Sequence, residues 1–128
     1  MRVLLDTHAF LWAATRPERL GASRDLIEDA ETELLLSAAS SWEIAIKYRI
    51  GRLALPEEPA AYMPVTMRRL AASPLVVEHS HALHVASLPD LHRDPFDRLL
   101  VAQAQLLDLP IVTADAAIAA YDIAIVRL

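Results

Sequence analysis

Val3-Leu4-Leu5-Asp6-Thr7-His8-Ala9-Phe10 decides how this chain folds. Three consecutive apolar residues without polar alternation have the character of a strand buried on both faces, as in a parallel sheet. A carboxylate follows at once, and from about Ala9 the pattern turns helical. This is the opening of a βα unit, with Asp6 at the C-terminal rim of its strand. In open α/β sheets that rim is where ligands bind. Local context gives Asp6 no evident structural duty, which sets it apart from the other acids of the chain.

The same order recurs downstream. Ser23–Ala30 reads as a helix, Leu34–Leu36 as a second short strand, and Ala38–Ile50 as a helix stopped by Gly51 at its C-cap. Pro56 and Pro59 open a helix to about Ala72, which Pro64 should kink or restart. Leu75–Val77 is a third strand, and Ser80 can cap a helix over His81–Leu88. Asp94-Pro95 begins a long helix ending near Leu107, with Pro110 beyond it. Ile111–Thr113, a short helix over Ala116–Ala120 and a last strand over Ile123–Val126 complete the series. Strands alternating with helices, without hairpin turns, predict a three-layer α/β/α sandwich around a central parallel sheet of four to five short strands. No repeat, low-complexity tract or dividing linker interrupts the 128 residues, so a single domain over 1–128 is expected.

Composition narrows the function classes. The hydrophobic fraction is 55% and the mean hydropathy +0.30. That suits a sheet covered on both faces, an apolar surface kept for a partner, or both. No apolar run approaches the ~20 residues of a membrane span. The chain enters a strand at once without a signal-peptide pattern, so a cytoplasmic protein is expected. The absence of cysteine excludes disulfides and thiolate metal sites. A net charge of −5 argues against broad non-specific attraction to nucleic acid, although Lys47, Arg52, Arg98 and other basic residues could hold phosphates locally.

Asp6, Glu43, Asp97 and Asp115 each stand at the edge of an apolar segment, where the topology can gather them. Clustered carboxylates repel and are costly to desolvate, so a cluster implies a cation. Hard oxygen ligands suit Mg²⁺ or Mn²⁺, whose usual service is attack on a phosphodiester. Each acid also has a plain structural explanation. Asp94 can cap the helix after Pro95 with Asp97 at its third position, Glu43 can pair with Lys47 on a helix surface, and Asp115 can cap the helix after it. Other acid-using chemistries fail on the letters. His8 stands where a haloacid-dehalogenase-like phosphatase needs its second Asp, and Glu78-His79 follows the third strand where a receiver domain needs its phosphoacceptor Asp. Two glycines leave no phosphate loop, and Ser40 and Ser41 lack a nucleophile elbow. His79, His81 and His84 could bind Zn²⁺, but surface or capping roles fit their spacing better. Trp12 and Trp42 read as core or helix-packing residues.

Four blocks carry a family resemblance: Leu4-Leu5-Asp6-Thr7-His8-Ala9-Phe10-Leu11-Trp12, Ser41-Trp42-Glu43-Ile44-Ala45-Ile46-Lys47, the stretch His92-Arg93-Asp94-Pro95-Phe96-Asp97-Arg98-Leu99-Leu100-Val101-Ala102-Gln103-Ala104, and Val112-Thr113-Ala114-Asp115. Together they resemble PIN-domain ribonucleases, and more narrowly the VapC-type toxins of toxin–antitoxin pairs. The third block is the most specific, and the resemblance spans nearly the whole chain in order. It implies a hydrolase: an endoribonuclease dependent on Mg²⁺ or Mn²⁺, homodimeric and inhibited by a cognate antitoxin. It implies a site of Asp6, Glu43, Asp97 and Asp115, with Asp6 and Asp97 as principal metal ligands. Asp97 is preferred to Asp94 because it precedes the helix of small apolar residues, which leaves Asp94 as cap or outer-shell group. Thr7 and Thr113 could bond a carboxylate or a metal-held water, and Arg98 a substrate phosphate. The rival expectations are a catalytically silent binding module of the same fold and a nuclease directed at DNA.

Overall fold

The computed structural model describes residues 1–128. Five parallel strands form one sheet in the order β3-β2-β1-β4-β5. β1 (Arg2–Leu5) is central, flanked by β2 (Glu33–Ser37) and β4 (Ile111–Thr113), with β3 (Ala72–Leu75) and β5 (Ile125–Arg127) at the edges. The helices are α1 (Thr7–Thr15), α2 (Arg24–Glu28), α3 (Ala38–Arg49), α4 (Pro59–Leu70), α5 (His79–His84), α6 (Pro95–Leu107) and α7 (Ala116–Ala119). The expected three-layer α/β/α sandwich stands.

Side-chain alternation along the central strands divides the core in two. Val3, Leu5, Leu34, Leu36 and Val112 pack with Phe10, Ile44, Tyr62 and Met63 on one face. Leu4, Leu35 and Ile111 pack with Leu100, Val101, Ala104 and Ile118 on the other. Val3, Leu4 and Leu5 are wholly buried, which accounts for the continuous apolar run: neither face of β1 meets water. Burial of one such side chain contributes roughly 1.5–3 kcal/mol.

Several boundaries differ from expectation, each for a local reason. α4 stops at Leu70 because Ala71 takes a left-handed conformation (φ 55°), and the chain enters β3 at Ala72, three residues before the predicted strand. β3 tolerates Pro74 because it is an edge strand. Pro64 does not break α4; it is exposed, as is Ala60, whose carbonyl loses its helical donor. Glu78, not Ser80, caps α5, through a capping box in which the His81 side chain returns a bond to the Glu78 backbone. That helix ends at His84 and passes into a 3₁₀ turn over Val85–Ser87. β5 lies at Ile125–Arg127, in register with Ile111–Thr113. Gly51 follows the C-cap of α3 at φ 78°, as its placement predicted.

Candidate metal centre

The strands deliver their carboxylates to one rim, and helix capping fixes how they point. Asp6 follows β1 and is the N-cap of α1, its Oδ1 accepting the Ala9 N–H at 2.7 Å. It therefore has the structural duty that local sequence did not reveal. Its Oδ2 accepts from the Thr113 hydroxyl, which reaches across from β4. Asp115 caps α7, accepting the Ala117 N–H at 2.8 Å. Asp94 caps α6, accepting the Asp97 N–H at 3.0 Å. Asp97, in the first turn of that helix, leaves its carboxylate free of capping.

Glu43 is only 3% exposed, so it is no surface ion pair. Its Oε1 accepts from the Thr7 hydroxyl at 2.6 Å and its Oε2 from the Lys47 ammonium, whose stem is partly buried. Thr7 Oγ1 also lies 3.0 Å from Ser40 Oγ. Thr7 and Thr113 thus each bond a carboxylate.

The residue that sequence reasoning missed is His92. Its Nε2 lies 2.9 Å from Asp115 Oδ2 and 3.1 Å from Asp97 Oδ2. Ligand atoms of His92, Asp97 and Asp115 all fall within 4.8 Å of one another. Asp6 and Glu43 stand outside that tight group but close enough for their charges to act on Asp97. The signal was available: His92 opens the most specific block of the sequence, two residues before the α6 cap. Conversely, His81 bonds Glu78 N–H and Gln103, and His84 bonds Gln105, so these two histidines serve local packing, and the trio His79, His81 and His84 forms no ligand cluster.

Arg98 is engaged by the loop before α6. Its guanidinium donates to the carbonyls of Pro89 and Val85 at 3.0 and 3.2 Å and to the Tyr121 hydroxyl at 3.1 Å. Tyr121 in turn accepts the N–H groups of Leu91 and His92 and donates to Pro89. The pair clamps the loop that carries His92. Trp42 is no core residue: it is 60% exposed and meets Phe96 edge-on at 5.1 Å. Trp12 packs partly buried against the first core cluster.

Electrostatics mark the centre. Burial, then the Asp94 and Glu43 carboxylates, push Asp97 up to about 7. Burial also raises Asp6, against the bonds from Thr113 and Ala9 that favour its ionised form. At Asp115 burial is outweighed by the bonds from His92 and the α7 amides, and its pKa falls. Lys47 is raised, chiefly by its bond to Glu43. Crowded, partly desolvated oxygens with an unneutralised acid at their centre are the donor set a hard divalent cation fits. A cavity of about 290 Å³ lined by Asp6, His8, Trp12, Ala114 and Asp115 opens beside them. Lys47 and Arg52 line another of about 280 Å³ on the far side of His8. No helix is long and apolar enough to cross a membrane.

The chain compares with known proteins as follows. The family model for the PIN domain matches residues 3–124. Ribonuclease VapC16 of Mycobacterium tuberculosis is 48% identical over 67 residues, covering 52% of this chain and 48% of that protein, so the match spans about half the relative's length. Among solved structures, VapBC2 from Rickettsia felis bound to a DNA fragment from its promoter aligns with TM-score 0.74 at 12% identity, covering 99% of this chain and 98% of that one. VapBC-1 from nontypeable Haemophilus influenzae aligns with TM-score 0.64 at 17% identity, covering 99% and 98%. At such identities the structural likeness establishes the fold.

Proposed function

This chain belongs to the PIN domain family, and from that premise we propose that it is a divalent-metal-dependent endoribonuclease, the toxin of a toxin–antitoxin pair. The observation that carries the reading is the convergence of Asp97, Asp115 and His92 within 4.8 Å, with Asp6 and Glu43 beside them and Asp97 pushed up to about 7. An acid of that kind calls for a cation as its partner. The 48% identity to a ribonuclease over half the chain supports an RNA substrate, and the motif blocks that resemble VapC-type toxins support an antitoxin partner, a homodimer and a cytoplasmic site of action.

Asp6 and Asp97 would hold Mg²⁺ or Mn²⁺, with Glu43 and Asp115 completing the site directly or through water. When bound, the cation lowers the pKa of water and neutralises charge developing on the phosphodiester. The chain's own residues orient and fasten. Asp6 is fixed by the Ala9 amide and the Thr113 hydroxyl, so one of its lone-pair directions is set before any ligand arrives. Thr7 and Lys47 hold both oxygens of Glu43. Lys47 and Arg52 flank the neighbouring cavity, where they offer cations to a phosphate backbone.

Asp6→Asn and Asp97→Asn should each abolish Mg²⁺- or Mn²⁺-dependent cleavage of RNA while far-UV circular dichroism stays native. Matched single-stranded DNA should be cut far more slowly. Full RNA cleavage by either variant, or equal cleavage of DNA, would overturn the proposal.

A further inference from the structure

His92 is held on every hydrogen-bonding side. Its Nδ1 lies 3.0 Å from the backbone N–H of Asp94, a group that can only donate. A proton on Nδ1 would meet that N–H donor to donor, so Nδ1 presents its lone pair there. The ring's proton then belongs on Nε2. Both neighbours of Nε2, Asp97 Oδ2 and Asp115 Oδ2, are acceptors, and the tautomer assigned from the partners is the same on both sides. A ring in this tautomer has no Nε2 lone pair to give a metal, although its spacing to the two carboxylates would suit one.

We propose that His92 is a positioning residue: its Nε2–H bonds Asp115 and, by the positive end of that N–H, draws the Asp97 carboxylate to 3.1 Å, aiming both at the divalent ion without coordinating it. The inference depends on the metal-site reading above and adds how the ligands are held. Two carboxylates this close repel one another and tend to swing apart when no cation is present. Asp115 is anchored through its other oxygen by the α7 amides. Asp97 has no such anchor on its side chain; what faces it is His92 Nε2 at 3.1 Å, an electrostatic contact that holds it near Asp115. The ring is itself kept in place from behind, because Tyr121 accepts the His92 backbone N–H at 3.0 Å and Arg98 donates to Tyr121. Orientation therefore passes from a buried clamp, through the loop and the imidazole, to two ligand side chains, the arrangement by which outer groups commonly tune metal sites.

The test compares wild type with His92→Gln and His92→Ala, using Mn²⁺ alone as the probe. Glutamine places a donor near the Nε2 position and an acceptor for Asp94, but carries no imidazole. Calorimetric titration should show His92→Ala binding Mn²⁺ about 10–100-fold more weakly, with His92→Gln within roughly threefold of wild type. Pulsed electron paramagnetic resonance of the wild-type Mn²⁺ complex should show no directly coordinated ¹⁴N. In the metal-free protein at pH 8, ¹⁵N spectra should show Nε2 protonated and Nδ1 bare. A coordinated imidazole nitrogen, a proton on Nδ1, wild-type affinity in His92→Ala, or equal loss in both variants would overturn the proposal. If the alanine variant is unfolded by circular dichroism, the glutamine variant and the wild-type spectra decide. Failure of wild type to bind Mn²⁺ at all would sink the metal-nuclease reading, and the ¹⁵N tautomer would then decide the hydrogen-bond assignment by itself.

Discussion

Replacing Asp97 by Asn should make the metal-free protein more stable above neutral pH, even though it removes a residue from the centre of the site. The Asp97 side chain is only 17% exposed, and burial followed by the Asp94 and Glu43 carboxylates raises its pKa from 3.8 to about 7. A carboxyl whose folded value lies above its unfolded value binds its proton more tightly when folded. The stability linked to that proton is complete below about 3.8 and is lost as pH climbs to about 7. Integrating the two titrations between pH 5 and pH 8 gives a loss of about 2–3 kcal/mol. Asparagine never acquires the charge, so the stability gap between variant and wild type should widen by about 2–3 kcal/mol over that interval. Urea unfolding followed by circular dichroism, in chelator at stepped pH, measures the gap directly. Saturating Mn²⁺ should close or reverse it at pH 8, because the ionised Asp97 then has a partner and Asn does not. A gap that stays constant or narrows from pH 5 to pH 8 would refute the claim that Asp97 is destabilised by its surroundings.

Two further outcomes concern the frame around the site. Tyr121→Phe strips the hydroxyl that serves Leu91, His92, Arg98 and Pro89, and should destabilise the protein by about 2–3 kcal/mol in urea unfolding; a change below about 0.5 kcal/mol would show that the loop is not clamped there. Thr113→Val keeps shape but removes the donor to Asp6 and the acceptor for the Asp115 N–H, and should cost about 1–3 kcal/mol with weaker Mn²⁺ binding by calorimetry; unchanged binding would mean Asp6 is oriented by its capping bond alone.

The layers of the fold were legible because β1, β2 and β4 are buried on both faces and so carry unbroken apolar runs. The edge strand β3 was misplaced because its start depends on Ala71 adopting a left-handed conformation without glycine, a choice made by tertiary packing and not by the residue. In the site, the capping roles of Asp94 and Asp115 follow from their positions before helices, and the structure bears them out. Asp6 escaped the same reading only because its helix begins at Thr7, earlier than the letters suggested. His92 stayed hidden for another reason: its place before the α6 cap was visible, but its bond partner Asp115 lies 23 residues on, in the next βα unit. The burial of Glu43 and the bonding of Arg98 to the loop were not legible because both depend on neighbours brought from elsewhere in the fold.

That Asp6, Asp94 and Asp115 are helix caps has a genetic consequence. Asparagine caps a helix about as well as aspartate, so an Asp-to-Asn change at these positions, reachable by one base substitution, leaves the scaffold standing while stripping charge from the proposed metal centre. Such an allele would encode a silent copy with an intact outer surface. In a cell making both forms, it would soak up the proposed antitoxin and liberate the active protein. Of the two acids proposed as principal ligands, Asp6 alone is such a cap, so under the proposed function its change to asparagine would turn a toxin into a decoy.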